Sequence, residues 1–327
     1  MTTSARVDNR LLWFLFLALG FMWGSSYLFI KIGVDAGLPT FTLIALRLFF
    51  GLLVIGTVVA LAREPLPRSR RTYGHLFVMA CINIVLPFTL ITWGEQSIDS
   101  AVASILNSTV PLFVIVMAPL FLPDESITVN RLVGLAVGFV GVLVLFVPDL
   151  GALKGNDVLG WLALLGSAIA YAAGNIYAKR NVHGLRPMIP ALFQVGFAFL
   201  VTAVLALLVD QPIGRVTLKP EAIFAVVWLG ILGSGFAYLC YFRVLRDWGA
   251  TRTAAVAYLL PVVGIILGGL IVHEPITASR ILGTVLIIGG VALVNSRYGS
   301  RPLVRRRASS AVPAGSAGQG QVQPTDG

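Results

Sequence analysis

The chain has 327 residues, of which 57% are hydrophobic and 12% are charged, and its formal net charge is +10. Soluble domains carry about 25% charged residues, so a composition this apolar excludes an ordinary water-soluble enzyme or binding module. The positive charge does not require a nucleic-acid partner, because basic residues also line the anionic cytoplasmic leaflet of a membrane.

Ten apolar segments follow one another along the chain, and each is about long enough to cross a bilayer, which takes about 20 helical residues. The segments are continuously apolar, whereas the strands of a membrane barrel alternate, so the sequence predicts an all-α polytopic membrane protein. The predicted segments are 11–31, 40–62, 74–94, 98–121, 129–147, 157–179, 188–209, 220–243, 251–272 and 278–295.

The second five segments repeat the first five. Glu125 and Glu274 are each followed by Ile, Thr, Arg and Gly at the same spacings, so the two sets stand at an offset of 149 residues. Pro111 and Pro261 interrupt the apolar segment that precedes each set. Because five is an odd number, the second unit must enter the membrane upside down, as in many secondary transporters. The sequence therefore predicts ten transmembrane helices arranged as two inverted five-helix repeats.

The distribution of positive charge predicts the orientation. When the loops are assigned to alternating sides, most of the 24 Lys and Arg residues fall on the side that holds both termini. By the positive-inside rule this side is cytoplasmic, so we expect a multi-pass protein of the cytoplasmic membrane. The expected parts are a cytoplasmic segment 1–10, a first repeat 11–147, an extracytoplasmic linker 148–156, a second repeat 157–296 and a disordered basic tail 297–327.

An ordered set of short motifs lies on this duplicated background. The set comprises Trp23-Gly24-Ser25-Ser26 with Lys31, Pro39-Thr40 leading to Arg47, Asp157 with Gly160-Trp161, and the repeated Pro, Glu and Gly pattern. In these residues the chain resembles the ten-helix EamA-type carriers of the drug/metabolite transporter (DMT) superfamily. The resemblance implies a carrier that moves a small organic solute, often outward as efflux, and that needs no nucleotide cofactor.

Arg47 is the most informative charge within a predicted helix. It lies about seven residues from the outer end of segment 40–62, or roughly 10 Å deep at 1.5 Å per residue. An Arg at this depth normally faces the interior of the bundle. It could contact an anionic group of the solute or pair with an outer carboxylate such as Glu95. A structural ion pair or a snorkelling side chain is the alternative.

Polar uncharged and aromatic side chains cluster on the central segments. Amides and phenols suit a polar, partly zwitterionic solute, although each could instead form interhelical hydrogen bonds. The candidate substrate-binding residues, in addition to Arg47, are Trp23, Asn83, Asn107, Tyr171, Asn175, Gln194, Tyr238 and Tyr258.

Four carboxylates fall into two groups. Glu95 and Asp99 stand alone at the outer ends of the third and fourth segments, and either could carry a coupling proton, with simple solvated loop residues as the alternative. Glu125 and Glu274 recur on opposite faces, each three residues before a Thr suited to cap a helix. A sequence pattern that recurs on both faces of the membrane is better explained by a role in folding than by directional chemistry. We therefore expect Glu125, Glu274, Pro111 and Pro261 to be structural.

Signatures of catalysis are missing from the sequence. It contains no phosphate-binding loop and no Gly-x-Ser-x-Gly motif, so we expect neither ATP hydrolysis nor an enzyme. Cys81 and Cys240 lie apart inside apolar segments, without zinc spacing, so no metal or other cofactor is expected.

The leading interpretation is a secondary transporter that exports a small, polar or amphipathic metabolite such as an amino acid by alternating access. The alternatives are a non-transporting membrane sensor or scaffold, and a carrier for drugs or nucleosides. The expected partners are a small-molecule substrate and the lipid bilayer, with protons and a second copy of the chain as further candidates, and no nucleic acid.

Overall fold

A computed structural model describes residues 9–121, 129–146, 155–182, 185–186, 188–214, 216, 219–248 and 255–295. Within these ranges the chain is helical and forms no strand. Its ten helical segments are α1 (Asn9–Asp35), α2 (Thr40–Leu61), α3 (Arg70–Gly94), α4 (Ser100–Phe121), α5 (Val129–Phe146), α6 (Gly155–Asn181), α7 (Met188–Asp210), α8 (220–248), α9 (255–271) and α10 (Ala278–Asn295).

Seven of these helices are long and apolar enough to cross a membrane, namely α1, α2, α3, α4, α6, α7 and α8. The apolar parts of α5, α9 and α10 are shorter. Each predicted segment coincides with one helix to within a few residues. The largest extension is at α8, which continues to residue 248, where Arg243 and Asp247 form an ion pair of 2.7 Å across one helical turn.

Local departures from regular α-helix occur within five of the helices. Turns of π-helix occupy Cys81–Val85 in α3, Ala206–Asp210 in α7 and Leu229–Phe236 in α8. The helix α4 is interrupted after Asn107 and resumes at Val110, and α9 begins with a tighter turn before Leu259. Such turns redirect side chains and often occur at functional sites.

The helices of residues 9–146 pack mainly against the helices of residues 155–295. The pairs include α2 with α7, α4 with α9, α5 with α10, α1 with α8 and α9, and α3 with α6 and α7. The two parts of the chain are therefore interlocked rather than folded as separate units. Interior side chains that lie between them belong to both.

Glycines allow the closest of these approaches. In the pair α5 and α10, a Cβ on Gly290 would lie 2.6 Å from the carbonyl oxygen of Gly134, and a Cβ on Gly141 would lie 2.9 Å from that of Gly283. The two helices run in opposite directions, since the lower number of one contact meets the higher number of the other. Small residues let membrane helices gain the dispersion contacts that hold them together.

Candidate functional site

Arg47 is buried between helices of both parts of the chain. Its side chain is 5% exposed, Nε donates a hydrogen bond to Ser234 Oγ (3.0 Å), and the guanidinium carbon lies 4.2 Å from the centre of the Phe88 ring. The described residues provide no ion pair to this guanidinium. The structure therefore does not contain the predicted gate pair with Glu95, although the two side chains interact electrostatically.

The local backbone explains how Ser234 reaches Arg47. Ser234 lies in the π-helical turn of α8, and a Cβ on Gly51 of α2 would lie 2.7 Å from the Ser234 Cβ. A Cβ on Gly230 would lie 2.7 Å from the main-chain oxygen of Arg47. Only glycine permits these approaches, so α2 and α8 bring the guanidinium and the hydroxyl into contact.

Three tyrosine side chains lie within electrostatic range of the guanidinium. Tyr27, Tyr171 and Tyr238, from α1, α6 and α8, all interact electrostatically with Arg47. Asn107 donates a hydrogen bond to the Tyr27 hydroxyl, and Asn107 Oδ1 lies 3.4 Å from Ser167 Oγ, which itself donates to the Leu164 main-chain oxygen (2.7 Å). The sequence analysis missed Tyr27, although it lies one turn after Trp23 in the polar stretch of the first helix.

Trp23 contributes an aromatic wall on the α8 side. Its ring centre lies 5.4 Å from that of Tyr241 and 6.2 Å from that of Tyr238. Trp23 is partly buried, so it packs within the bundle rather than lying entirely on its surface. Predicted residues from α1, α2, α4, α6 and α8 are thus brought to one region.

Two of the predicted amides each have a buried polar atom without a hydrogen-bond partner among the described residues. These atoms are Asn83 Oδ1, in the π-helical turn of α3, and Gln194 Nε2 in α7. Gln194 is 4% exposed. Buried polar atoms are normally paired, so these two could be satisfied by water or by a bound solute.

The remaining predicted substrate-binding residues are Asn175 and Tyr258. Asn175 is exposed, one turn after Tyr171, and the described residues give it no hydrogen bond. The side chain of Tyr258 lies outside the described part of the structure, as does all of Glu125.

Glu95 is the second buried charge, directly after α3. Its side chain is 0% exposed, and neither carboxylate oxygen has a hydrogen-bond partner in the described part of the chain. Lys31 Nζ donates instead to the main-chain oxygen of Glu95 (3.0 Å) and pairs with Asp35 (3.3 Å). Burial raises the pKa of the Glu95 carboxyl well above its usual range.

Asp99 differs from Glu95, and the expectation that it stands alone is wrong. Its carboxylate forms an ion pair with Arg280, which also donates to the main-chain oxygen of Pro275 (2.7 Å). Arg280 comes from the start of α10, so the sequence separation of 181 residues concealed the pair.

Three of the residues predicted to be structural, Glu274, Pro111 and Pro261, lie at helix ends or next to interruptions. Glu274 accepts hydrogen bonds at the start of α4, while Thr277 Oγ1 accepts one from the Arg280 main-chain N–H (3.3 Å). Pro111 follows the interruption of α4, and Pro261 follows the tight turn of α9. A proline near the start of a helical stretch loses no intrahelical hydrogen bond.

The region therefore combines one cation, several phenols, three amides and a separate buried carboxyl. Among the described residues no cluster of His, Cys, Asp and Glu could hold a metal ion. The fold and these groups define a class, a helical membrane protein with a polar interior that suits the binding of a small solute.

The family follows from sequence comparison. The EamA-like transporter family model matches residues 11–147 and 158–296, which is most of the chain. The chain belongs to the EamA-like transporter family, whose members are integral membrane transporters and not enzymes.

Curated relatives match over most of their own length. The chain is 25% identical to an uncharacterized transporter, YoaV, of Bacillus subtilis, covering 87% of this chain and 97% of the relative. It is 29% identical to an uncharacterized inner membrane transporter, YedA, of Escherichia coli, over 85% and 88%. It is 27% identical to a probable amino-acid metabolite efflux pump of Escherichia coli, over 83% and 90%.

A solved crystal structure shares the fold. It has 19% sequence identity to this chain and a TM-score of 0.61, and the match covers 88% of this chain and 96% of that one. At this identity the likeness shows the fold alone.

Proposed function

We propose that this chain is a secondary transporter that exports a small organic metabolite bearing an anionic group, such as an amino acid. The observation that carries the proposal is Arg47, a buried guanidinium whose described surroundings contain a hydroxyl and an aromatic ring but no carboxylate ion pair. A buried Arg without a counter-charge is costly, so a solute carboxylate would complete the site.

The proposed cargo site combines charge, phenols and amides. Arg47 binds the anionic group, Trp23 and the tyrosines contact the apolar body, and the amides bind polar groups. The residues proposed to bind substrate are Trp23, Arg47, Asn83, Asn107, Tyr171, Asn175, Gln194, Tyr238 and Tyr258. The outward direction is proposed from the relative that is named as a probable amino-acid metabolite efflux pump.

Two inverted five-helix repeats, 11–147 and 157–296, would provide alternating access. The contacts of α5 with α10 support this plan. Gly141 contacts Gly283, and Gly290 contacts Gly134. Gly134 and Gly283 are equivalent at the repeat offset of 149 residues, as are Gly141 and Gly290, so the two contacts are equivalent. In transporters built from inverted repeats, rocking of the two related halves opens a central site to each face of the membrane in turn.

Glu95 is proposed as the residue that couples transport to protons. A carboxyl that is neutral when buried could release its proton when the halves move and water reaches it. Asp99 remains a second candidate, although its ion pair with Arg280 already neutralises it.

Both termini are proposed to be cytoplasmic. In this orientation the outer side of the membrane holds the last residues of α1 and α3 and the first residues of α2 and α4. Reporter fusions at residues 10 and 300 test this orientation. Cytoplasmic signals from both are expected, and an extracytoplasmic signal from either would contradict the orientation and the inverted plan.

Transport itself is tested by solute flux from proteoliposomes loaded with labelled amino acids. Efflux above that of protein-free liposomes, without ATP, is expected. Binding of amino acids without any flux would favour a sensor or scaffold, and flux restricted to cationic drugs or nucleosides would replace the proposed cargo.

A further inference from the structure

Two carboxylates of the second half hold the starts of two helices of the first half. Asp210 Oδ2, at the end of α7, accepts hydrogen bonds from the Thr42 main-chain N–H (2.7 Å) and hydroxyl (2.8 Å). Glu274, between α9 and α10, accepts from the Ser100 N–H (2.8 Å), the Ser100 hydroxyl (2.7 Å) and the Ala101 N–H (2.9 Å).

Neither helix start has a cap of its own. The residue before α2 is Pro39, whose side chain cannot accept a hydrogen bond, and Asp99 before α4 makes no side-chain cap bond. The first N–H groups of a helix have no intrahelical partner, and the positive end of the helix dipole favours an anion there. Asp210 and Glu274 therefore provide from the second half the caps that the first half lacks.

Each carboxylate is held in place by its own backbone. Gln211, after Asp210, and His273, before Glu274, both have left-handed conformations, with φ of 49° and 56°. A Cβ on Gly268 would lie 2.5 Å from Glu274 Oε2, so the glycine leaves room for this side chain to lie against α9. Both carboxylates thus adjoin a residue of left-handed backbone conformation, at the points where the chain leaves α7 and α9.

The opposite end of the α2 and α7 pair is joined differently. There Glu64 pairs with Arg186 (2.8 Å), whose side chain is 70% exposed. Exposed ion pairs contribute little, because water screens them. At the outer end, by contrast, Thr42 and Ser100 are buried, and their backbone groups would need water as a replacement partner if the helices separated.

We infer that the hydrogen bonds of Asp210 and Glu274 to the starts of α2 and α4 close the outer end of the carrier, and we call these two carboxylates the latches. Both latches must leave these helix starts when the carrier opens outward. This inference rests on the proposed carrier function, but the two contacts can be tested without any flux measurement. A failure of the latch test would leave the transport proposal intact.

The test uses accessibility of a buried position near the latches. Ala103 is 0% exposed and lies one helical turn after Ser100. Cys81 and Cys240 are replaced by Ala, Ala103→Cys is introduced, and the protein is placed in lipid nanodiscs, where a membrane-impermeant maleimide reaches both faces. Asp210→Ala and Glu274→Ala should each label at least about fivefold faster than the latch-intact protein, because the open population rises.

The matched control is Glu221→Ala, which removes an exposed carboxylate from the start of α8 at the same end. It should label at the latch-intact rate. Labelling that is unchanged in both latch variants would overturn the inference and make the two carboxylates static caps.

Should the alanine variants not fold, Thr42→Val and Ser100→Ala remove only one hydroxyl donor each and keep the charges. They should increase labelling in the same direction by a smaller factor. In that case an unchanged rate in both hydroxyl variants overturns the inference.

Discussion

The helices α2 and α7 pack against each other in opposite directions, and each buries a different polar group at a similar distance from its own first residue. Arg47 lies seven residues after the start of α2 and Gln194 six residues after the start of α7, and the two are 5% and 4% exposed. Arg47 has Ser234 and Phe88 as neighbours, whereas Gln194 Nε2 has no described partner. The two helices therefore bury different chemistry, a guanidinium in α2 and a neutral amide in α7.

The same asymmetry extends to the buried carboxyl. At the repeat offset of 149 residues, Glu95 of the first half corresponds to Val244 of the second half, and both are 0% exposed. The equivalent interior position of the second half is thus occupied by an apolar side chain. Ionisable groups inside membrane proteins are expensive and usually functional.

The largest expected effect is the loss of the charge in α2. Arg47→Ala should reduce flux by roughly 10- to 100-fold, because hydrogen bonds to a charged group are worth about 1.5–3 kcal/mol. Arg47→Lys should retain only part of the flux, since Lys lacks the planar fork. Flux in proteoliposomes, with thermal unfolding as a check on folding, measures both.

Arg186→Ala is the control for that prediction, because it removes the same charge from an exposed side chain. Near-normal flux is expected there. Wild-type flux in Arg47→Ala would show that the guanidinium does not bind cargo.

Glu95 should make the stability of the protein depend on pH. Because burial raises its pKa, the folded state binds more protons than the unfolded state above the usual glutamate pKa of about 4.3. The contribution of Glu95 to folding stability is fully present below the usual glutamate pKa, and it is lost as the pH rises through the raised pKa of the folded state. Melting temperatures measured from acid to alkaline pH should fall in the wild type and fall less in Glu95→Gln.

The same variant separates coupling from structure. If Glu95 carries the coupling proton, Glu95→Gln should lose flux driven by a pH gradient while keeping exchange at equal pH. An identical pH slope and intact gradient-driven flux in the variant would remove Glu95 from the coupling role.

A smaller effect on flux is expected at Gln194 of α7, the uncharged residue that was compared with Arg47. Gln194→Leu should lower flux severalfold, yet it should leave stability unchanged or raise it by up to about 1 kcal/mol, because a buried unsatisfied donor is removed. Thr202→Val on the same helix is the control, since the Thr202 hydroxyl is already bonded to the Ala198 main-chain oxygen (2.8 Å). Equal flux in both variants would count against a cargo contact at Gln194.

Asp99 should show the smallest effect. Its ion pair with Arg280 is partly exposed, at 38% for the Asp99 side chain, so Asp99→Asn should cost roughly 0–1 kcal/mol of stability. Chemical denaturation in detergent measures this cost. A loss of flux as large as that of Glu95→Gln would favour Asp99 as a coupling residue.

Much of the fold was predictable because continuous apolar runs of spanning length can form only helices in a bilayer. The sequence also identified Arg47 and Glu95 as unusual charges. It could not identify Ser234 as the partner of Arg47, because the contact depends on a π-helical turn and on glycines in two distant helices. Capping by Asp210 was equally hidden, because it joins residues 168 positions apart.

The most direct test of the central claim is exchange of a labelled amino acid in proteoliposomes, with unlabelled amino acids or their carboxamides as competitors. The two competitors differ in the anionic group that Arg47 is proposed to bind. We expect the acids to inhibit exchange strongly and the amides at least about tenfold less, as for the loss of a charged hydrogen bond. Equal inhibition by acids and amides, or the absence of exchange for all anionic and zwitterionic solutes, would contradict the account.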